Sequence, residues 1–410
     1  MPELADVVIV GAGLLGLTLA CELARHTMRV VLLDQSRPAT GATGSGFAWV
    51  NATSKLENES YHRLNAEGLA HYSRLAAEHG ADQLGIHGGW ALFWMAPGGT
   101  LGAPTLVRKA ETLRAWQYPA ILLDSGEMRA LEPQVSSAHV DGAVGMFAPA
   151  DLWIDTPRLV RYYVECAMRY KVDLRPDCPA TGFTWSVSGA ISTVETPDRR
   201  IATRLLVLTS GIETSSLAAR ATGDPGMAAM CPVRRAPGLL IETGATSGPN
   251  LTHRVLFPPD AGGLHLRPTP GGGMLIGADD TDAALMDGKS GIGPGPSEEG
   301  KGWQESGRKA PDFRGAAANL LSRARAALGT PRDPNDATML DARICIRPVP
   351  HDGLPIAGLL PGDQGVHVLV THSGITLGPM LAHLLADEIV IGRPSPQLSP
   401  YRPGRFARNS

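Results

Sequence analysis

The spacing of apolar residues changes twice within the first 35 positions of the chain. An apolar run rich in β-branched residues ends at Val10, and apolar residues then recur at helical spacing as far as Ala24. A second apolar run, from Val30 to Leu33, ends on Asp34. This order predicts a buried strand, a helix and a second buried strand.

The turn between the first strand and the helix carries three glycines. Gly11 permits a tight turn, Gly13 lets the backbone approach a pyrophosphate, and Gly16 brings the helix close to the strand. The free N–H groups of Leu14 and Leu15 then face the phosphates. The sequence therefore predicts a Rossmann-like dinucleotide site.

An acidic residue closes the second strand of this unit. Asp34 stands 23 positions after Gly11, where a carboxylate accepts hydrogen bonds from ribose hydroxyls and disfavours a 2′-phosphate. Gln35 follows it at the same edge of the predicted sheet. This pattern alone is compatible with both NAD and FAD.

The stretch after the acidic strand favours FAD. Residues 36–52 place Thr43, Ser45 and Gly46 directly beyond Asp34. Small and hydroxylic residues here provide a second approach to the pyrophosphate.

A second strand and helix near the end of the chain also favour FAD. Val366, Val368 and Val370 alternate as in a strand, and apolar residues resume at helical spacing up to Ile389. We predict that Thr376 caps this helix and that Pro379 lies in its first turn. The positive end of the helix suits the negative charge at N1 and C2=O of a reduced flavin. The residues assigned to this cofactor contact are Ser373, Gly374, Ile375 and Thr376.

Size and charge exclude several classes of partner. With 410 residues and 43% hydrophobic content, the chain is long enough for two domains. The formal net charge is −3 and the sequence has no basic run, which argues against nucleic acid. The apolar stretch at 7–24 is interrupted by glycines and follows acidic residues, so we predict neither a signal peptide nor a membrane span.

The cysteines indicate a reducing compartment. There are five, and no two are closer than twelve residues, which argues against a disulfide framework and against a zinc or dithiol pair. We therefore expect a cytoplasmic protein without a metal site.

Several motifs, taken in order, make the sequence resemble the D-amino acid oxidase, glycine oxidase and sarcosine oxidase superfamily. Besides the N-terminal glycines, they are "LLVLTSG" at 205–211, "IRPVPHDGLPIAG" at 346–358, "HSGIT" at 372–376 and "LSPYRPGRF" at 398–406. The resemblance covers nearly the whole chain. It implies bound FAD, and it adds Gly211 and Gly358 to the expected cofactor contacts.

The fold implied by the resemblance is α/β, with a discontinuous Rossmann-like FAD-binding domain and a second α+β domain for the substrate, built on an antiparallel sheet. The FAD-binding domain is expected from residues 1–85, 146–225 and 336–410, and the substrate domain from 86–145 and 226–335. Residues 286–312 are rich in glycine, proline and charge, so we predict a flexible loop or lid there.

The resemblance also implies a reaction. Hydride passes from the carbon beside an amine to flavin N5, which gives an imine, and O2 or another acceptor reoxidises the flavin. The substrate is then a small amino acid or amine. Arg347 is expected to pair with the substrate carboxylate, and an internal salt bridge to a carboxylate such as Asp352 is the alternative. His372 is expected to contact the cofactor or to accept the amine proton, and a structural cap is the alternative.

Trp49, Trp90 and Trp94 are candidates for the walls of a substrate pocket, although core packing explains them equally well. Cys345 stands where the sarcosine oxidase branch attaches its flavin through sulfur. The residues that follow Cys345 resemble the glycine oxidase pattern instead, so we expect non-covalent FAD and keep a covalent link through Cys345 as the alternative.

Other functions fit parts of the sequence. A related flavin enzyme could oxidise a 2-hydroxy acid or polyol, or could tailor a cyclic imino acid or a larger biosynthetic amine. A flavin that is structural or relays electrons for a partner is a non-enzymatic alternative. The sequence leaves open the acceptor, the stereochemistry and the choice between monomer and homo-oligomer.

Overall fold

The computed structural model describes residues 3–88, 90–95, 102–133, 135, 140–245, 254–286, 314–328, 338–362 and 365–407. The predicted loop or lid at 286–312 lies outside these residues except for its first position. In chain order the strands are β1 Glu3–Leu4, β2 Val7–Val10, β3 Val30–Leu33, β4 Trp49–Val50, β5 Ile86–His87, β6 Ala91–Met95, β7 Ile121–Leu123, β8 Val144–Ala148, β9 Leu152–Ile154, β10 Asp173–Arg175, β11 Gly182–Trp185, β12 Ile191–Glu195, β13 Arg200–Ala202, β14 Leu206–Leu208, β15 Val233–Thr243, β16 Val255–Phe257, β17 Leu264–Pro268, β18 Met274–Ala278, β19 Met339–Pro350, β20 Ile356–Leu359 and β21 Val366–Val370. The helices are α1 Leu14–Arg25, α2 Ala42–Ser45, α3 Glu59–His79, α4 Ala81–Leu84, α5 Gly102–Ala115, α6 Ser125–Leu131, α7 Thr156–Arg169, α8 Thr214–Thr222, α9 Asp279–Met286, α10 Arg314–Leu328 and α11 Gly374–Ile391.

A six-stranded sheet carries the predicted dinucleotide unit. Its order is β10-β3-β2-β14-β21-β20, and all neighbours are parallel except β20 and β21. The strand, helix and strand predicted at the start of the chain are therefore confirmed as β2, α1 and β3. The strand predicted before the last helix is β21.

Both faces of this sheet are buried. In β2, Val7 and Ile9 face α1 and α11, whereas Val8 and Val10 face the side that carries β11, β12, β13 and α8. Strands covered on both faces read as continuous apolar runs, which explains why the sequence shows no polar alternation here. On that second side, β11, β12 and β13 join β1 in a four-stranded sheet of order β1-β13-β12-β11.

The second large sheet has eight strands. Their order is β19-β15-β18-β17-β16-β6-β8-β7. Its pairs are antiparallel except β16 with β6. The mixed α/β class with an antiparallel second sheet is thus confirmed. β19 pairs with β15 along its whole length, so the segment 336–410 supplies a strand to this sheet as well. The exact domain boundaries stay a prediction.

The last helix, α11, is apolar enough to span a membrane by length and composition, with a mean hydropathy of 1.4. Its residues are mostly buried inside the protein, where they pack with α1 and α3. α11 therefore has the surroundings of a core helix.

Packing at the start of α1 depends on the absence of a side chain at position 16. A Cβ added at Gly16 would lie 1.9 Å from the carbonyl oxygen of Gly11 and 2.7 Å from Oγ1 of Thr209. We expect Gly16→Ala to lower the free energy of unfolding by roughly 1–3 kcal/mol or more, because the helix must move away from β2. Urea denaturation of the purified protein measures this change.

Gly404→Ala is the matched control, since a Cβ there would have no described atom within 4 Å. Equal stability of the two variants would contradict the role given to Gly16.

Candidate functional site

The glycine turn after β2 adopts the geometry that a pyrophosphate requires. Gly11 has φ of +113°, a conformation that other residues rarely adopt. The backbone N–H of Ala12 donates to Oδ2 of Asp34 at 2.6 Å, and the N–H of Leu14 donates to Oγ1 of Thr43 at 3.1 Å. The turn, the acidic strand end and the Thr43 segment are therefore tied together around the start of α1.

Asp34 supports this turn as well as facing outward. Its other oxygen, Oδ1, accepts from the N–H of Ser36 at 2.8 Å. Burial raises the pKa of Asp34, while these two backbone donors lower it. Gln35 is exposed beside it. Asp34 thus braces the dinucleotide loop and keeps lone pairs for a ribose.

α2 brings the small residues predicted for the cofactor next to β19. Oγ of Ser45 donates to the carbonyl of Gly41 at 2.9 Å, and Gly46 ends the helix in an extended conformation. Sγ of Cys345 lies 3.9 Å from the carbonyl oxygen of Ala42. Burial raises the pKa of the Cys345 thiol, so the reactive thiolate is disfavoured.

The N-terminus of α11 corrects two details of the sequence prediction. The N-cap is Ser373, not Thr376, because the carbonyl of Ser373 already accepts from the N–H of Leu377 at 2.9 Å. Thr376 is buried in the first turn, and Pro379 lies beyond that turn.

Pro379 has no N–H for the carbonyl four residues earlier, that of Ile375. The hydroxyl of Tyr72, in α3, donates to this carbonyl at 2.7 Å. A second tyrosine of α3, Tyr61, has its hydroxyl 2.8 Å from Oγ of Ser373. α3 therefore completes and holds the first turn of α11.

The starts of α1 and α11 lie side by side. A Cβ added at Gly374 would be 3.6 Å from Cδ1 of Leu15, and one at Gly378 would be 3.3 Å from Cδ2 of Leu14. Both helices begin at the carboxyl ends of parallel strands, β2 and β21, where ligands of such sheets bind. Two positive helix ends converge there, which fits an anionic cofactor such as a dinucleotide.

His372 faces a recess at this same edge. Its side chain is accessible to solvent, yet its surroundings lower its pKa to about 4, first through desolvation and then through Lys55, Arg347 and Arg234. The imidazole is therefore neutral at pH 7.

Arg347 forms an internal ion pair, as in the alternative considered from the sequence, but its partner is Asp282 and not Asp352. Its Nη2 donates to Oδ2 of Asp282 at 2.7 Å, and it also donates to the carbonyls of Ala236 and Pro237. Asp352 pairs instead with Arg405, at 2.8 Å. Arg347 keeps 34% of its side chain exposed, and its described hydrogen bonds use Nε and Nη2.

The three tryptophans occupy different places. Trp49 packs against Phe257 with ring centroids 4.7 Å apart, and Phe257 stacks on Phe93 at 4.2 Å. Trp94 is fully buried on the opposite face of β6, among the residues under α10, and so is not part of the Trp49 cluster. Trp90 lies at the start of β6, under the guanidinium of Arg254.

A buried carboxylate anchors the segment that carries Trp49. Oδ2 of Asp151 accepts from Nε1 of Trp49 at 3.1 Å, while Oδ1 accepts from the hydroxyls of Thr53 at 2.7 Å and Tyr118 at 2.5 Å. Burial raises the pKa of Asp151 to about 7, opposed by these donors and by Lys109. The side chain is completely buried.

Gly211 and Gly358 are two further glycines that were predicted to contact the cofactor. Gly211 has φ of +58° and lies 3.8 Å, measured from its added Cβ, from Cγ of Pro348. Gly358 makes room for Arg402, whose guanidinium binds Glu388 of α11. This placement gives Gly358 a packing role, and its contact with the cofactor stays a prediction.

Residues 6–388 match the family model described as FAD dependent oxidoreductase. The chain belongs to this family. As an FAD-dependent oxidoreductase it is an enzyme, its cofactor is FAD, and the predicted resemblance is confirmed. The N-termini of α1 and α11 and the turn at Gly11 fit the pyrophosphate of this cofactor.

Individual relatives of this FAD-dependent oxidoreductase are distant. Glycine oxidase of Geobacillus kaustophilus is 24% identical over 409 residues, covering 97% of this chain and 96% of that protein. One of the subunits of opine oxidase from Agrobacterium tumefaciens is 24% identical over 413 residues, covering 98% and 97%.

Solved structures show the same fold. A crystal structure of the Geobacillus glycine oxidase has a TM-score of 0.77, with 23% identity and coverage of 100% of both chains. That of iminodiacetate oxidase from Chelativorans sp. has a TM-score of 0.74, with 20% identity and coverage of 97% and 98%.

Sequence reasoning missed several residues of the site. Lys55 stands three residues beyond the stretch 36–52, whose small side chains carry the cofactor prediction. Asp282 and Asp151 lie far along the chain from the residues that they contact. No local sequence pattern indicates either contact. Tyr61 and Tyr72 lie eleven residues apart on α3, a helical spacing that indicates one face but not its partner.

FAD is expected to be released when the purified protein is precipitated with acid, because the Cys345 thiol is buried and protonated. An absorption spectrum of pellet and supernatant measures this. Yellow colour that stays in the pellet, and that Cys345→Ser removes, would demonstrate the covalent link instead.

Ionisation of Asp151 predicts a pH dependence of stability. The folded pKa of about 7 lies above the ordinary value of 3.8, so the folded protein retains a proton that the unfolded chain loses. The contribution to the free energy of unfolding is therefore fully present below pH 4 and falls as pH rises to about 7. Asp151→Asn should flatten this slope in urea titrations between pH 4 and 8.

The amide of Asp151→Asn has one acceptor oxygen where the carboxylate has two for its three donors, so its absolute stability should drop. Asp198→Asn, at an exposed position, is the control. An unchanged slope in Asp151→Asn would show that this carboxyl does not titrate between these pH values.

Proposed function

We propose that this FAD-dependent oxidoreductase oxidises a carbon–nitrogen bond of an amino acid or amine and releases an imine. The names of its relatives, among them glycine oxidase, iminodiacetate oxidase and opine oxidase, agree with this substrate class. Bound FAD supplies the hydride acceptor at N5. The protein's own residues position the substrate and handle its proton and charge.

The observation that carries the proposal is the neutral His372 among cations at the start of α11. Only an uncharged amine gives up hydride readily, so a substrate that arrives as an ammonium must lose a proton. The pKa of His372, near 4, leaves the imidazole neutral at pH 7, so it can accept a hydrogen bond from the amine, while the cations around it lower the pKa of the amine and favour its uncharged form.

Arg347 is the proposed carboxylate contact. Asp282 and two carbonyls fix the orientation of its guanidinium, which leaves one edge of the fork for the substrate. A preoriented fork loses little entropy when it binds. The pair with Asp282 thus positions Arg347 and also moderates its charge.

The apolar side of the site suits the carbon skeleton of the substrate. Trp49, Phe257 and Phe93 form a continuous aromatic surface, of which Trp49 and Phe257 are partly accessible. Apolar walls with a few fixed polar groups are typical of small-molecule sites.

A substrate panel under anaerobic conditions tests the proposal. We expect amino acids, N-substituted amino acids or cyclic imino acids to bleach the flavin absorbance, while lactate, glycolate and glycerol leave it unchanged. Stopped-flow spectra measure the bleaching rate for each compound.

Bleaching by hydroxy acids without bleaching by amines would overturn the proposal in favour of a carbon–oxygen dehydrogenase. Readmitting air afterwards distinguishes the acceptors, because an oxidase regains its colour within the turnover time. Slow recovery would indicate an acceptor other than O2. Cytoplasmic location and the two-domain boundaries stay predictions beside this proposal.

A further inference from the structure

Two buried cysteines meet where α1 packs against α7. Sγ of Cys21 donates to the carbonyl oxygen of Tyr163 at 3.4 Å, so the thiol of α1 contacts the backbone of α7. Cys166 follows Tyr163 by three positions, and residues at this spacing are neighbours on one face of a helix. Cys21 and Cys166 also hydrogen-bond to each other through their side chains. The fold therefore forms a dithiol pair from residues that lie far apart in the sequence.

The sulfur of Cys166 is surrounded by donors and positive charge. The S–H of Cys21 hydrogen-bonds to it, which lowers the pKa of Cys166 against the effect of burial and raises the pKa of Cys21. The hydroxyl of Tyr162, one helical turn earlier, donates to the same sulfur, and Arg169 and Arg25 act on it as cations. Cys166 is therefore the thiolate of the pair, while Cys21 retains its proton.

The pair lies close beneath the surface of the protein. Cys21 is 3% exposed and Cys166 is 6% exposed, whereas the neighbouring cations Arg25 and Arg169 are exposed. Such a small exposed area excludes large thiol reagents but suits hydrogen peroxide, which is small and uncharged. A thiolate is the form of cysteine that reacts with peroxide.

We propose that Cys21 and Cys166 form a modification site at which hydrogen peroxide links α1 to α7 by a disulfide. The inference goes beyond the proposed function and does not rest on it, since any source of hydrogen peroxide serves. An oxidase that passes its electrons to O2 is one such source. Because α1 begins directly after Gly13 of the dinucleotide turn, the disulfide would fix the helix on which that turn is built.

The reaction has two steps. The Cys166 thiolate attacks one oxygen of hydrogen peroxide, the O–O bond breaks, and a sulfenic acid and hydroxide form. The sulfur of Cys21 then attacks the sulfenic sulfur, the S–S bond forms, and the S–O bond breaks with loss of hydroxide. One hydroxide takes the proton of Cys21 and the other takes a proton from solution. Overall the two cysteines lose two electrons, and the peroxide is reduced to two molecules of water.

Peptide mapping of the holoenzyme tests this proposal. Reduced and desalted protein is treated with hydrogen peroxide, its remaining thiols are blocked with N-ethylmaleimide in urea, and the chain is digested. We expect a pair of peptides joined through Cys21 and Cys166, lighter by two hydrogens than the reduced peptides and separated by dithiothreitol. A non-reducing denaturing gel should show faster migration of the oxidised chain, because the link closes a large loop.

Cys21→Ser and Cys166→Ser should each abolish the joined peptides. In Cys21→Ser the sulfenic acid of Cys166 has no second thiol to resolve it, so dimedone should trap it and excess peroxide should convert it to sulfinic acid. In Cys166→Ser, peroxide should oxidise Cys21 at least roughly tenfold more slowly than it oxidises Cys166 in the wild-type protein, because the thiolate is missing.

Cys231→Ser is the matched control. Cys231 is also fully buried, and its Sγ lies 3.5 Å from the carbonyl oxygen of Met227, but within the described part of the chain no second cysteine acts on it. This variant should keep the link between Cys21 and Cys166 and its rate of formation. The flavin spectrum and the thermal midpoint of each variant establish that it is folded.

Three results would overturn the proposal. They are peroxide treatment that leaves Cys21 and Cys166 both open to N-ethylmaleimide, a sulfinic acid at Cys166 beside an unmodified Cys21, and a link that forms equally fast in urea-unfolded protein. The last result would mean that the fold does not create the pair. A failure of the anaerobic substrate panel leaves this test unaffected, because the peroxide is added and no turnover is needed.

Discussion

The site depends on the close approach of two helix starts at one edge of the parallel sheet. Gly374 and Gly378 of α11 lie against Leu15 and Leu14 of α1, with added Cβ atoms 3.6 Å and 3.3 Å from these leucine side chains. Each helix follows a strand of the same sheet. The positive N-terminal ends of α1 and α11 therefore lie close together at the edge of that sheet. α3 contributes a third close contact, with Gly68 beneath the carbonyl of Thr376.

This arrangement explains the charge pattern of the recess. Helix ends, Lys55 and Arg347 all raise the local potential, and they do so in a protein whose formal net charge is −3. His372 is kept neutral by these surroundings, which lower its pKa to about 4. The same positive potential suits the anionic cofactor FAD.

Much of the cofactor end was predictable from the sequence because its signals are local. The run to Val10, the glycine spacing and the acidic end at Asp34 each lie within a few residues of the element they define. The helix α11 was predicted as an element, but its first residue was not. The carbonyl of Ser373 accepts the first hydrogen bond of the helix. The sequence prediction placed the cap at Thr376 because of its hydroxyl, and the sequence alone does not show this backbone bond.

The polar partners of the substrate end were not predictable, because they are set by sheet register and by packing. Arg347 meets Asp282 across β15, where Gly238 leaves the space, and neither residue carries a mark of the other in the sequence. Asp151 reaches Trp49 and Thr53 from about 100 positions away. Tyr72 replaces the N–H that Pro379 lacks, a pairing visible only once both helices are placed.

Asp151 has a consequence for how substrate preference can change. It anchors the indole of Trp49 and the hydroxyl of Thr53, so one buried residue supports both the aromatic wall and the turn that presents Lys55. The indole of Trp49 and the backbone that carries Lys55 therefore share one support. If residues 49–55 were transplanted into another member of the family, they would keep this arrangement only if a buried acid equivalent to Asp151 came with them. Asp151 therefore limits which changes the 49–55 segment can accept.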